Sequence, residues 1–172
     1  FVAALSVFDA LDQIIGKEHK LAIKWPNDLL LNDKKICGIL LETKNLDTGK
    51  ALVIGIGVNL LAKPNLDRTQ NITIKPGSIL GETGIRLDPI ELAELIAHQY
   101  AFRENQFRVM GFSKTREIWM DRAAKLGEEI TARTPNFEYR GIFDSVDEKG
   151  QLIIITNGEK KKIAAAEIFF NY

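Results

Sequence analysis

The chain has 172 residues, enough for one good core or for a medium domain beside a small one. Its 45% hydrophobic and 27% charged residues lie near the globular averages and argue against a disordered or membrane-embedded chain. Acidic and basic residues balance at 23 each, so the chain as a whole lacks the excess positive charge of a non-specific binder of nucleic acid or anionic membranes.

Phe1, Leu5, Phe8, Leu11 and Ile15 recur at helical spacing with Ile14 beside them, and Gly16 supplies a stop. This stretch carries Asp9 and Asp12 and has no basic start, so it does not read as a signal peptide. No stretch reaches the length of a membrane span. The chain does not open on Met and is expected to be a piece of a longer protein.

Leu21-Ala22-Ile23 reads as a short strand ended by Pro26. Leu29-Leu30-Leu31 and Ile36 to Glu42 read as two more, joined by hairpin turn chemistry at Asn32-Asp33. Asp47-Thr48-Gly49-Lys50 is the next turn, and it leads into the β-branched run Ala51 to Leu60. Three hairpin-linked strands in succession predict an antiparallel or mixed sheet. Residues 62–88 are polar, contain Pro64, Pro76 and several glycines, and read mostly as loop.

Asp88-Pro89 is an N-cap followed by proline at the first helical position. The helix is expected to run through Leu92, Leu95, Ile96 and Tyr100 towards Met110 and to break at Gly111. Ser113 is placed to cap a second helix with Ile118, Trp119 and Ala123 on its apolar side, ending near Gly127. The period then changes. Ile130–Arg133, Glu138–Phe143, Leu152–Thr156 and Lys161–Ile163 read as strands, and Asn157-Gly158 is the strongest hairpin signal in the chain. Strands at this spacing predict a small barrel and a domain boundary near residue 126.

Several residues carry chemistry. Lys24, at a strand end before Trp25-Pro26, shares its rim with the amide of Asn27 and the carboxylate of Asp28, although a lysine and an Asn-Asp pair there also suit an ordinary turn. Strand alternation would put Lys35 on one side with Cys37 and Ile39, and Ile36, Gly38 and Leu40 on the other; Lys34 reads as a solvated hairpin lysine. Gly38 inside a strand suggests close approach of a ligand or backbone. Gly55 and Gly57 would clear one sheet face for a flat ligand with Asn59 at its edge, or mark a bulge or tight packing; the third glycine and the helix of a dinucleotide fingerprint are missing. His19 and His98 lack metal-ligand spacing and read as surface residues, so no protein metal ligand is expected. Cys37 reads as a buried structural cysteine; a single cysteine allows no internal disulfide and fits a reducing compartment. The Lys160-Lys161-Lys162 run reads as a solvated turn, with contact to an acidic partner as the weaker option.

Lys24-Trp25-Pro26-Asn27-Asp28 followed by Lys35-Ile36-Cys37-Gly38-Ile39-Leu40, then Gly55-Ile56-Gly57-Val58-Asn59, then a small β-domain ending Ala165-Ala166-Glu167-Ile168-Phe169-Phe170, resembles the biotin protein ligases in order and spacing. The resemblance implies an α+β fold: a mixed β-sheet with packed helices of the class II synthetase type, then a small SH3-like β-barrel. It divides the chain into a partial catalytic domain at 1–126 and a C-terminal domain at 127–172. It implies a ligase that uses ATP to activate biotin as biotinyl-AMP, with Mg2+ bridging phosphates, and transfers it to a lysine of a biotin carboxyl carrier protein in the cytoplasm.

By resemblance, Lys35 lies against the biotin carboxylate and the α-phosphate. Lys24, Asn27 and Asn59 serve the ATP side and its magnesium shell, Asp28 faces the acceptor amine, and the backbone of Gly38 and Leu40 meets the biotin ring. The family's glycine- and arginine-rich loop, the first strands of its sheet and any N-terminal DNA-binding domain are expected to lie outside the chain, so nucleic acid is a partner only if that domain exists. A lipoate-type acyl ligase and a non-catalytic carrier-docking or dimerisation module are the alternatives. A homodimer, which some family members form through sheet edges, is left open by the sequence.

Overall fold

The computed structural model describes residues 1–64 and 74–170. It opens on helix α1 (Val2–Asp12), whose apolar residues Leu5, Val7, Ala10 and Leu11 are fully buried. Strands β1 (Leu21–Lys24), β2 (Asp28–Leu31), β3 (Lys34–Leu46) and β4 (Gly49–Val58) form a sheet in sequence order. All three of its ladders are antiparallel; among the described residues parallel contacts are confined to isolated bridges at Ile23–Ala123 and Lys35–Pro76. The β2–β3 turn is built as its residues suggest, with Asn32 and Asp33 at φ 50° and 62°. Both are residue types that tolerate the left-handed region a tight hairpin needs. The ladder between β3 and β4 extends to Leu46 and Gly49, well past the expected end of the strand at Glu42.

A short helix, α2 (Ile79–Thr83), lies within the segment expected to be loop, capped by the Ser78 hydroxyl on the Gly81 N–H. Part of that expectation, residues 65–73, lies outside the described residues. Helix α3 (Pro89–Met120) starts as predicted: the Asp88 carboxylate accepts from the Ile90 and Glu91 N–H groups and Pro89 takes the first turn. Gly111 interrupts it at φ 74°, a kink only glycine takes without strain. The helix ends at Met120, short of the expected Gly127, and its N-cap is Asp88, with Ser113 inside it and not at a separate helix start. Trp119 is fully buried against Phe1, which also meets Phe112 edge-on.

Strands β5 (Glu129–Arg133), β6 (Glu138–Val146), β7 (Leu152–Thr156), β8 (Glu159–Ile163) and β9 (Glu167–Phe170) form a second sheet in the order β8-β7-β6-β5-β9. Asn157 and Gly158 turn β7 into β8 at φ 51° and 79°. The expected SH3-like barrel does not close: among the described residues no ladder joins β8 to β9. Only Ala164–Ala166 separates these two edge strands. Such a link spans at most roughly 14 Å, so the sheet curls until its edges approach. A register shift between Phe143 and Ser145 marks a bulge in β6, a feature that bends a strand.

The two sheets are held together by particular contacts. Ile23 N–H donates to Arg122 O, and Ala124 N–H to Ile23 O, both at 2.8 Å, so the segment after α3 lies along β1. The Trp25 indole donates to Gly150 O at 3.1 Å, and Arg116 donates to Val146 O at 3.1 Å.

Candidate active site

A cleft of about 1000 Å³ opens where the first sheet meets the second, lined by Lys24, Asn27, Asp28, Lys35, Gly38 and Leu40 among others. Asp28 is its electrostatic centre. It pairs opposite Lys24 in one ladder and opposite Gly38 in the next. Its Oδ1 lies 2.6 Å from Lys35 Nζ and its Oδ2 3.4 Å from Lys24 Nζ, and its side chain is only 12% exposed. One buried carboxylate thus holds two ammonium groups at one wall.

The expected side-sharing of Lys35 is overturned. Leu29 pairs with Cys37 but Leu30 with Lys35, so Ile36 is an extra residue in β3. This bulge resets the alternation. Ile36 turns into the core, fully buried, and Lys35 lies on the Gly38 side instead of beside Cys37 and Ile39. A Cβ placed on Gly38 would lie 3.5 Å from Asp28 Oδ1 and 3.6 Å from Lys35 Nζ. The bulge therefore aims Lys35 at the carboxylate.

Gly38 stands opposite Gly57, and Leu40 opposite Gly55. Apart from its chain neighbours, a Cβ built on Gly57 would meet just one heavy atom within 4 Å among the described residues, Gly38 O at 3.9 Å. The paired glycines thus leave a bare backbone floor beneath the lysines, as room for a flat ligand requires. Leu40 is 62% exposed at its rim.

Burial lowers the Lys24 pKa, with Asp28 as the main opposing influence and Glu167 a smaller one. Asn27 is pinned to β3 twice: its Nδ2 donates to Ile39 O, and its carbonyl accepts from the Ile39 N–H. Asn59 is not brought into the main cleft. It lines an adjoining recess of about 230 Å³ together with Lys35, Gly38 and Gly57, and its Nδ2 donates to Gly77 O at 2.9 Å. Lys34 is not merely solvated. It makes 2.8 and 2.9 Å bonds to both carboxylate oxygens of Glu82, tying β3 to α2. His98 is exposed, whereas the His19 side chain is mostly covered, at 18% exposure.

Cys37 is buried, and desolvation pushes its thiol up to about 12. At pH 8 it should react with an alkylating reagent about three orders of magnitude more slowly in the folded protein than in the unfolded chain. Mass-spectrometric labelling with and without denaturant measures this. The unfolded thiol ionises near its ordinary value and the folded one does not. Stability is therefore full below that value and falls as pH rises from there towards about 12.

Sequence reasoning assigned neither Ala166 nor Glu167 to the cleft; Ala166 precedes β9 and Glu167 opens it. Their only signal was the Ala165-Ala166-Glu167 block already noted in the resemblance. Another groove, about 520 Å³ between β4 and α3, is walled by Ile54, Ile56, Val58, Leu92, Ile96 and Tyr100 and offers no cation to an anionic substrate.

Two adjacent cations over a glycine-cleared floor suit the binding of carboxylate and phosphate groups, the substrates of an acyl-activating ligase. Residues 1–59 match the model of the biotin/lipoate A/B protein ligase family, and residues 125–171 that of the biotin protein ligase C terminal domain. The chain is 44% identical over 171 residues to the biotin–[acetyl-CoA-carboxylase] ligase of Paracoccus denitrificans, covering 99% of this chain and 71% of that protein. It is 31% identical over 170 residues to the bifunctional ligase/repressor BirA of Bacillus subtilis, covering 97% of this chain and 51% of that one. Its fold matches the biotin protein ligase of Aquifex aeolicus in complex with biotin and ATP with a TM-score of 0.77 at 27% identity, covering 97% of this chain and 68% of the other. The chain belongs to the biotin protein ligase family.

Proposed function

We propose that this protein attaches biotin to a lysine of a biotin carboxyl carrier protein at the expense of ATP, in the cytoplasm. The observation that carries this reading is the Lys24–Asp28–Lys35 cluster above the Gly38–Gly57 floor. The Paracoccus relative named for this reaction on acetyl-CoA carboxylase, and the Aquifex ligase that holds biotin and ATP, support it. In the first step a biotin carboxylate oxygen attacks the α-phosphorus of ATP, a new P–O bond forms, and pyrophosphate leaves. In the second the acceptor amine attacks the acyl carbon, and AMP leaves with the electrons of the broken C–O bond.

Lys35 lies against the carboxylate and α-phosphate, where negative charge develops. Asp28 holds both lysines ready for these anions and lies towards the side from which the amine arrives. Lys24 and Asn27 serve the nucleotide, and Asn59 approaches it from the adjoining recess. The backbone of Gly38 and Leu40 meets the biotin ring. No group of three or more potential metal ligands occurs among the described residues, so the donor set does not suit an all-protein metal cage. It fits a magnesium ion carried mainly on the nucleotide phosphates, whose charge it would neutralise when bound. We assign residues 1–126 to the catalytic part and 127–172 to the C-terminal part, a division supported by the two separate sheets. The outer edge of β4 has no strand partner among the described residues, which suits pairing of two copies in a homodimer.

Incubating the full-length protein with ATP, labelled biotin and a carrier domain tests the reading. Label is expected on the carrier, dependent on ATP and not displaced by excess lipoate. Selective use of lipoate would replace the reading with that of a lipoate ligase.

A further inference from the structure

The cleft contains two carboxylates, and their situations differ. Asp28 is buried with an ammonium on each oxygen. Glu167 is exposed at the cleft, and among the described residues its carboxylate makes no hydrogen bond or ion pair, only a weak electrostatic interaction with Lys24. It opens β9, opposite Arg133 of β5, so a strand ladder holds its backbone. The Arg133 guanidinium is engaged elsewhere, with Glu138 at 2.8 Å and over the Phe169 ring. The Trp25–Gly150 bond joins the second sheet to the residue next to Lys24. Glu167 therefore stands at the cleft as a positioned negative charge that acts only weakly on Lys24 and carries no bonded cation among the described residues.

The two half-reactions of the proposed ligase ask opposite things of this cleft. The first brings in anions and needs cations, which Lys24 and Lys35 supply. The second brings in an ammonium, which those two lysines repel. A third ammonium at Asp28 would crowd a carboxylate already shared by two. Glu167 faces the same space with no ammonium bonded to it among the described residues and only a weak pull on Lys24.

We propose that Glu167 is the receptor for the acceptor lysine: its carboxylate takes the incoming ammonium ahead of Asp28 and holds the nitrogen over the activated acyl group. This rests on the ligase reading above. The ammonium donates to Glu167 and loses one proton through it to water. The neutral nitrogen attacks the acyl carbon, the amide C–N bond forms, and AMP leaves as the C–O bond breaks. The second nitrogen proton then passes to solvent. The C-terminal sheet thereby contributes a substrate-touching residue to the second step alone.

The test separates the steps in full-length wild-type protein and in Glu167→Gln and Glu167→Asp. Biotin-dependent ATP–pyrophosphate exchange reads the first step. Transfer to a carrier domain reads the second with a charged acceptor, and trapping by hydroxylamine, largely uncharged at pH 8, reads it with a neutral one. In Glu167→Gln, exchange and hydroxylamine trapping should stay within about twofold of wild type. Transfer to the carrier should fall about tenfold or more, partly through a raised KM for the carrier, with partial recovery in Glu167→Asp. Undiminished carrier transfer would overturn the proposal, and so would an equal fall in exchange, which would mean that Glu167 acts on Lys24 or the nucleotide. Absence of exchange in the wild type would overturn the ligase reading itself.

Discussion

Replacing Lys35 with alanine should slow formation of the biotin adenylate by about two to three orders of magnitude while leaving the protein folded. The activity loss is large because Lys35 is aimed at the position where the attacking carboxylate and the α-phosphate share developing charge. The stability change is small because the side chain is 43% exposed, and an ion pair of this exposure contributes about 1 kcal/mol or less. Asp28 also keeps Lys24 as a counter-charge after the substitution. Pyrophosphate exchange measures the first effect and thermal denaturation the second. Lys35→Arg, which keeps the charge but alters reach and hydrogen-bond geometry, should fall between the two proteins. Unchanged exchange in the alanine variant would remove Lys35 from the mechanism.

The largest expected stability effect lies away from the cleft, at Asp9. Its Oδ2 accepts from Arg103 Nε at 2.5 Å and its Oδ1 from Arg122 Nη1 at 2.6 Å, and the Asp9 and Arg103 side chains are only 12% and 10% exposed. Arg122 also stacks over the Phe8 ring with 4.6 Å between its guanidinium carbon and the ring centroid. Asp9→Ala would leave two guanidinium groups facing each other with no anion between them, which costs about 3–5 kcal/mol when one member of a buried cluster is removed. That is a large share of the roughly 5–15 kcal/mol typical of a whole domain. The melting temperature should drop by about 10 °C or more. Urea unfolding of Asp9→Ala beside Asp9→Asn would measure the charge contribution separately from the packing. The effect should reach the cleft as well. Arg122 O accepts from the Ile23 N–H, and Ile23 precedes Lys24, so loosening Arg122 frees one support of that lysine.

Local chemistry was readable where a few neighbouring residues determine the backbone. The Asn32-Asp33 and Asn157-Gly158 turns, the Asp88-Pro89 helix start and the Gly111 break all occur where their residue types point. Helix α2 was hidden because five residues within a polar, glycine-containing stretch give no periodicity to detect. The Glu82 partner of Lys34 lies on that helix, 48 residues away, so strand position alone made Lys34 look merely solvated.

Residue types and their order were enough to identify the family, through a dense polar block, and the resemblance grouped Lys24, Asp28, Lys35 and Gly38 around one ligand, although strand alternation put Lys35 and Gly38 on opposite sides. Tertiary structure decided which way those groups point and what joins them. The orientation of Lys35 depends on a bulge at Ile36, and a bulge exists only relative to the partner strand, so alternation within β3 predicted the wrong side. Glu167 reaches the cleft from a sheet more than a hundred residues along the chain, and Asp9 meets Arg103 and Arg122 across a similar separation. Turns and caps are written in adjacent residues because the backbone's own dihedrals and hydrogen bonds determine them. Charge pairing across elements is decided only when packing brings distant side chains out of water together.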